Sequence, residues 1–299
     1  QTAKVMTAFE KICEAEKPDL VIVVGDVNST LACSIVAVKA GIKLAHIESG
    51  LRSFDRDMPE EINRMVTDAI ADYLFVTEKS GNDNLIKEGH SESQIFFCGN
   101  TMIDSLHFAK GAASKANVLE RLGVGKGEYA LITLHRPSNV DDKDQLCALL
   151  NILVEHSSDT KFVFPIHPRT RKNIELFGLN NLIEQNPNII LCDPMGYVEF
   201  LSVMMNSRLV MTDSGGIQEE TTALKVPCLT LRTTTERPIT CEIGTNILVN
   251  PSPEDINAAM KTALSTPKNN GEVPPLWDGK AAERIVNKII ELMSNKYEN

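Results

Sequence analysis

Short runs of apolar residues, each bounded by glycine or polar residues, alternate along the chain with longer segments whose apolar positions recur at helical spacing. The runs predict strands over Leu20–Val24, Lys43–Ile47, Tyr73–Val76, Ile95–Cys98, Tyr129–Leu134, Lys161–Pro165, Ile189–Leu191, Leu209–Thr212, Cys228–Leu231 and Asn246–Val249. Several are unbroken Val/Ile/Leu stretches without a polar face, the pattern of parallel strands covered on both sides. The segments between them predict helices over Ala3–Glu16, Thr30–Ala40, Glu60–Ala71, Lys79–Glu88, Lys143–Ser157, Tyr197–Asn206, Gly216–Ala223 and Pro253–Leu264. Strand–helix alternation from end to end predicts an α/β fold with parallel sheets.

The composition changes over Phe108–Gly127, where Lys-Gly-Ala-Ala-Ser-Lys and Gly-Val-Gly-Lys-Gly bracket a short helical stretch. This sets a boundary between a first α/β domain, residues 1–115, and a second, residues 116–279. A final helix, Lys280–Met293, follows a Pro-Pro-Leu-Trp-Asp-Gly turn, and residues 280–299 are expected to pack back on the first domain. The first domain shows about four strands, where doubly wound sheets usually carry about five or six. Leu20–Val24 is apolar on both faces and reads as a central strand rather than an edge. The expectation is a first domain truncated at its start, which leaves Leu20–Val24 as an exposed apolar edge prone to self-association.

A length of 299 residues suits two α/β domains. Hydrophobic residues at 42% and charged residues at 23% exclude a disordered chain. No apolar run approaches the ~20 residues of a membrane-spanning helix, and the first residues lack the layout of a secretory signal. Forty acidic residues against thirty basic ones leave a net charge of −10, a poor match to a nucleic-acid binder. A local basic pocket for a phosphorylated small molecule remains open. The seven cysteines, Cys13, Cys33, Cys98, Cys147, Cys192, Cys228 and Cys241, are odd in number and form no C-x-x-C pair. They read as reduced thiols of a cytoplasmic protein, not as a disulfide frame or a zinc site.

Candidate chemistry gathers where strands end and helices begin, the edge at which open α/β sheets bind ligands. Val-Gly-Asp-Val-Asn-Ser-Thr puts Asp26 just past the first strand, where helix capping explains it equally well. His46-Ile-Glu48-Ser-Gly50-Leu-Arg52 follows the second strand with an acid and an arginine suited to proton transfer and phosphate pairing, or to a surface ion pair. Pro59-Glu60-Glu61-Ile-Asn63-Arg64 then opens a helix, whose dipole alone would favour both acids. Asp26, Glu48 and Glu60 together form a candidate acid/base cluster. In the second domain, Thr133-Leu-His135-Arg136-Pro-Ser-Asn139 ends a strand with a histidine and an arginine that can face a pyrophosphate. His167-Pro-Arg169 recurs after the next strand and reads equally as a loop histidine. Thr212-Asp213-Ser214-Gly215-Gly216-Ile-Gln218-Glu219-Glu220 is the strongest local signal: free N–H groups at a helix start can hold a phosphate, and Glu220, one turn in, can take the hydroxyls of a ribose. Thr234-Thr-Glu236-Arg237-Pro238 adds an arginine after the following strand.

In this order the motifs resemble those of the non-hydrolysing UDP-N-acetylglucosamine 2-epimerases, and Leu276-Trp-Asp-Gly-Lys-Ala-Ala-Glu-Arg-Ile-Val286 resembles that family's carboxyl-terminal stretch. The resemblance covers essentially the whole chain. It implies two Rossmann-like domains of glycosyltransferase-B type with the nucleotide sugar in the interdomain cleft, a homodimer, and a role in supplying cell-surface polysaccharide synthesis. It implies Asp26, Glu48 and Glu60 as acid/base residues and His135 beside the sugar and pyrophosphate, with Arg136 as a further ligand residue. Ser214, Gly215 and Gly216 would bind phosphate, Glu220 the ribose, Phe200 the uracil, and Arg237 would line the same pocket. Two departures stand out. The family's amino-terminal Gly-Thr-Arg-Pro-Glu segment, which supplies an arginine and a lysine to substrate, is absent, and His-Arg-Pro-Ser stands where many members have His-Arg-Arg-Glu.

The implied reaction eliminates UDP to a 2-acetamidoglucal and adds it back with C2 inverted. It calls for a base, an acid and a place for departing UDP, but for no cofactor, neither metal nor nicotinamide. An epimerase of a related diacetamido sugar, a hydrolysing relative that releases ManNAc, a glycosyltransferase of the same fold and a non-catalytic nucleotide-sugar-binding module are the alternatives.

Overall fold

The computed structural model describes residues 1–265 and 271–294, which form two compact units. Unit 1 comprises Gln1–Asp104, Glu236–Ile239 and the chain from Pro275 on; unit 2 comprises Ser105–Thr235 and Thr240–Pro274. The division falls within the helix Thr101–Ala113. Residues 266–270 of the expected second domain and 295–299 of the expected final segment lie outside the described residues.

Unit 1 is built on a parallel sheet of β1 (Leu20–Val24), β2 (Lys43–Ser49), β3 (Tyr73–Val76) and β4 (Ile95–Phe97), in the order β1-β2-β3-β4. Alternate side chains feed two cores. Val21, Val23, Leu44, Leu74 and Val76 pack on one face, and Ala45 and Phe75 on the other, beneath Ile285 of the last helix, Ala281–Ser294. That helix is anchored at its start by Asp104, whose carboxylate accepts from the N–H groups of Ala281 and Ala282 at 3.0 and 2.6 Å, where the helix dipole favours an anion. The apolar pattern of β1 predicted a central strand. Among the described residues it pairs with β2 alone, and Ile22 and Val24 stand half exposed.

Unit 2 holds β5 (Tyr129–Thr133), β6 (Lys161–Pro165), β7 (Ile189–Cys192), β8 (Leu209–Thr212), β9 (Cys228–Leu231) and β10 (Asn246–Val249). They form one parallel sheet in the order β10-β9-β8-β5-β6-β7. Strand order therefore reverses between β5 and β8, which pair with Thr133 opposite Thr212. In doubly wound sheets this switch point opens a crevice at the strands' carboxyl ends. Both faces are covered: Ile132, Phe162, Phe164 and Met211 lie in one core, and Tyr129, Leu131, Val163 and Val210 in the other. Among the described residues no helix is long and apolar enough to cross a membrane.

Candidate functional site

In unit 1, β1 leads through Gly25, at φ +67°, to Asp26. β2 runs two residues further than its apolar run predicted and carries a register shift between Ile47 and Ser49. Glu48 is the residue squeezed out by that shift. It adopts φ +70°, a region costly for any residue with a Cβ and found where a surrounding structure over-determines it. Gly50 follows at φ +78° and packs so tightly on Gly81 that a Cβ would come within 2.3 Å of its carbonyl oxygen. The bulge thus turns the Glu48 carboxylate onto Arg237, whose Nη2 donates to Oε1 at 2.9 Å; both side chains are nearly buried. Arg237 also pairs with its neighbour Glu236.

The helix Pro59–Ile70 brings further charge. Arg64 is completely buried, with Nη1 3.6 Å from Asp26 Oδ2 and Nη2 3.4 Å from Glu61 Oε2, and its guanidinium makes no hydrogen bond among the described residues. Of the two adjacent acids, Glu61 is the buried one. It accepts from Ser53 N, Ser53 Oγ and Phe54 N at 2.9–3.0 Å and so clamps the loop after β2. Glu60 is exposed, and it reaches Asp26 only through its charge. Arg64 was not among the sequence candidates. The signal was present, since it follows Glu60 by four residues and Glu61 by three, one turn along the same helix.

Burial raises the pKa of Asp26, against the pull of Arg64 and Arg237. Burial likewise raises that of Glu48, opposed by Arg237 and reinforced by the nearby Asp26 charge. Two carboxyls that both resist ionisation, within reach of each other's charge and under two guanidiniums, are able to hold one proton and one negative charge between them. That is the state an acid/base pair needs.

In unit 2 the switch point carries a second cluster. Asp213, fully buried at the end of β8, accepts on Oδ2 from the backbone N–H groups of His135 and Arg136 at 2.9 and 2.8 Å and from Asn139 Nδ2 at 3.2 Å. Its Oδ1 lies 2.7 Å from His135 Nδ1. Burial works to raise the Asp213 pKa, but the His135 side chain and the backbone donors outweigh it and hold the carboxyl below the usual range. With Nδ1 engaged, Nε2 is the His135 nitrogen left for a ligand. A cavity of about 390 Å³ opens beside it, lined by His135, His167, Met195, Phe200 and Ser214 among others. The two histidine rings are 5.7 Å apart.

Ser214 is the residue before the helix Gly215–Leu224, and its side chain makes no capping bond, so the first N–H groups of that helix and the half-buried Gly215 and Gly216 are open to an anion. Glu220 is buried one turn in, and Tyr197 donates its hydroxyl to Oε1 at 2.7 Å. Burial raises the Glu220 pKa and the Tyr197 bond lowers it, with burial the stronger. Tyr197 was missed because 23 residues separate it from its partner. The candidates therefore fall into two sets: Asp26, Glu48 and Arg237, with Glu60 nearby, in unit 1, and His135, Arg136, Phe200, Ser214, Gly215, Gly216 and Glu220 in unit 2. Among the described residues no group of three or more His, Cys, Asp or Glu side chains is arranged to hold a metal ion. A larger cavity of about 860 Å³ between the helices Thr2–Glu16 and Asn28–Lys39 contains none of these residues.

The profile of a family described as UDP-N-acetylglucosamine 2-epimerase matches residues 1–290. A UDP-N-acetylglucosamine 2-epimerase of Methanocaldococcus jannaschii is 45% identical over 96% of this chain and 79% of its own. A UDP-2,3-diacetamido-2,3-dideoxy-D-glucuronate 2-epimerase of Pseudomonas aeruginosa is 38% identical over 97% of this chain and 80% of its own. The crystal structure of the Methanocaldococcus jannaschii UDP-GlcNAc 2-epimerase in complex with UDP-GlcNAc and UDP superposes with a TM-score of 0.87 at 43% identity, covering 97% of this chain and 80% of that one. A Neisseria meningitidis UDP-GlcNAc 2-epimerase bound to UDP-GlcNAc superposes with a TM-score of 0.88 at 29% identity, over 97% and 81% of the two chains.

Proposed function

The chain belongs to the UDP-N-acetylglucosamine 2-epimerase family, and on that premise we propose that it interconverts UDP-GlcNAc and UDP-ManNAc by inverting C2 of the sugar. The C2 proton lies beside an acetamido group, not a carbonyl, so its removal alone leaves no stabilised anion. Elimination avoids this. A base takes the C2 proton, the C2–H electron pair becomes the C1=C2 double bond, and the C1–O bond breaks with its electrons leaving on UDP. The products are 2-acetamidoglucal and UDP. In the second half, a UDP oxygen adds back to C1 while an acid delivers a proton to C2 from the opposite face.

Glu48, paired with Arg237 against the effect of burial, serves as the base, and Asp26, facing Arg64, as the acid. Glu60 adjusts the charge state of Asp26 from the surface. His135, aimed by Asp213, meets the sugar and the pyrophosphate, with Arg136 beside it. Ser214, Gly215 and Gly216 hold phosphate oxygens, Glu220 shares the ribose with Tyr197, and Phe200 lies against the uracil. The observation that carries this reading is the strained bulge that sets a nearly buried Glu48 on Arg237, within reach of the Asp26 charge. The test is turnover of UDP-GlcNAc in deuterated water. The expected product is UDP-ManNAc with deuterium at C2, and retention of the original hydrogen would rule out elimination.

A second reading is favoured by the Pseudomonas aeruginosa relative: the same inversion on a UDP-diacetamido uronate. Side-by-side kinetics on the two nucleotide sugars separate the readings, the preferred substrate having the larger kcat/KM.

A further inference from the structure

Three successive carbonyls at the end of β1 are each held by a side chain. Val24 O accepts from Thr30 Oγ1 at 2.8 Å, Gly25 O from His46 Nε2 at 2.9 Å, and Asp26 O from Asn63 Nδ2 at 2.8 Å. Of the three donors, His46 is the one that belongs to a chain of charges. Its Nδ1 lies 2.6 Å from Asp68 Oδ1, while Asp68 Oδ2 accepts from Gly50 N at 3.0 Å and pairs with Arg52 at 2.7 Å. Arg52 in turn forks onto Glu88 at 2.9 and 2.6 Å. His46 and Asp68 are wholly buried, and the chain reaches solvent at Glu88.

Counting hydrogens decides the state of the ring. A carbonyl oxygen only accepts, so Nε2 donates to Gly25. Independently of the ring, Asp68 Oδ2 accepts from Gly50 N and pairs with the permanently charged Arg52 guanidinium, and both favour the ionised carboxylate. An ionised carboxylate also only accepts, so Nδ1 donates as well. We infer that His46 is a positioning residue for the reaction proposed above: a buried imidazolium that pins the Gly25–Asp26 turn with one ring N–H while its other N–H is anchored by the Asp68–Arg52–Glu88 chain. Its charge acts on Glu48, two residues along the same strand, in favour of the carboxylate. One group thereby holds the turn that carries the acid and adds to the pull of Arg237 on the base. The inference rests on the proposed reaction for its kinetic consequence, but not for its structural one.

The test separates the two. In the parent protein, nitrogen–hydrogen NMR correlation of the imidazole should show hydrogen on both ring nitrogens of His46. In His46→Gln, the backbone amides of Gly25 and Asp26 should shift, UDP affinity should stay within about twofold, and kcat should fall roughly 10- to 100-fold, the size of one lost hydrogen bond to a charged group. Asp68→Asn supplies an independent variant. Its amide N–H faces Nδ1, the ring is then neutral, and Nε2 still holds Gly25, so His46 should show one ring hydrogen, the turn should stay in place, and kcat should fall less than in His46→Gln. A single ring hydrogen in the parent, or His46→Gln with parental kcat and unmoved Asp26, overturns the inference. A parent that does not epimerise UDP-GlcNAc would overturn the proposed reaction instead, and the ring hydrogens and amide shifts would still decide the role of His46.

Discussion

Asp213→Asn is the most discriminating single change in unit 2, because it keeps the shape of the side chain and removes only its charge. The amide oxygen in the place of Oδ2 still accepts from His135 N, Arg136 N and Asn139 Nδ2. Those three bonds pass from charge-assisted to neutral, a loss of about 1 kcal/mol each, or about 3 kcal/mol in all. For a body of this size 1 kcal/mol corresponds to ~2–4 °C, so the melting transition should fall by ~6–12 °C. The amide nitrogen in the place of Oδ1 now meets His135 Nδ1 as a donor. The ring must then present Nδ1 as an acceptor and move its hydrogen to Nε2, the nitrogen that faces ligand. Turnover should drop ~10²–10⁴-fold, as expected when a proton-handling group is held in the wrong state, while the fold persists. Calorimetry gives the melting transition, imidazole NMR the tautomer, and a coupled assay the turnover. A variant that melts within about a degree of the parent with its His135 tautomer unchanged would refute the argument.

Glu48→Gln keeps the bulge and removes the base; kcat should fall ~10²–10⁴-fold with UDP affinity nearly unchanged, whereas Glu60→Gln, at an exposed position, should cost less than Glu48→Gln. Parental turnover in Glu48→Gln would return that residue to a purely structural role. Glu220→Gln should weaken UDP binding, by ~1.5–3 kcal/mol for a lost charged hydrogen bond, yet raise the melting temperature at pH 7. Its folded pKa is raised, so ionisation costs stability once pH climbs past the unfolded value of about 4.3, and the variant's advantage should disappear below it; equal melting at pH 7 would count against this. Asp68 has the opposite sign. Its folded pKa is depressed, so its contribution is fully present above the unfolded value of about 3.9 and is lost as pH falls through the folded one. Asp68→Asn should therefore be less stable at neutral pH and lose less stability on acidification, as a pH series of denaturant melts would show.

Much of the fold was legible because parallel strands covered on both faces leave an unmistakable apolar run, and the ten predicted runs coincide with β1–β10 to within two residues at either end. Helices without such a signal escaped. Pro168–Leu176 buries only Thr170 and Ile174 on an otherwise polar surface, too narrow a stripe for the apolar pattern to register. Thr101–Ala113 was hidden by small residues and glycine that read as a linker, although Asn100, whose Oδ1 accepts from Met102 N at 2.8 Å, marks its start. His167 was read as a loop histidine or a second site residue; it precedes the first of these helices and its Nδ1 accepts from Arg169 N, yet it also lines the cavity beside His135.

The site was legible in outline for a different reason: acids at the ends of parallel strands are few, and each had a motif around it. What sequence cannot resolve is the difference between neighbours. Glu60 and Glu61 are chemically alike, but adjacent helix positions lie about 100° apart, and only the folded helix decides that Glu61 is buried on Ser53 and Phe54 while Glu60 meets solvent. Arg64 falls on the buried face with Glu61 for the same reason. The left-handed backbone of Glu48 is less visible still, because nothing in its residue type announces it. A glycine would adopt that conformation more readily and would have no carboxylate to offer. Keeping a glutamate there costs of order 1–3 kcal/mol of backbone strain. The Asp68 bond to Gly50 N and the close packing of Gly50 on Gly81 over-determine the turn just past it. Strain at this position is thus opposed by the same buried charges that orient Asp26, which ties the stability of the bulge to the geometry of the acid and base it presents.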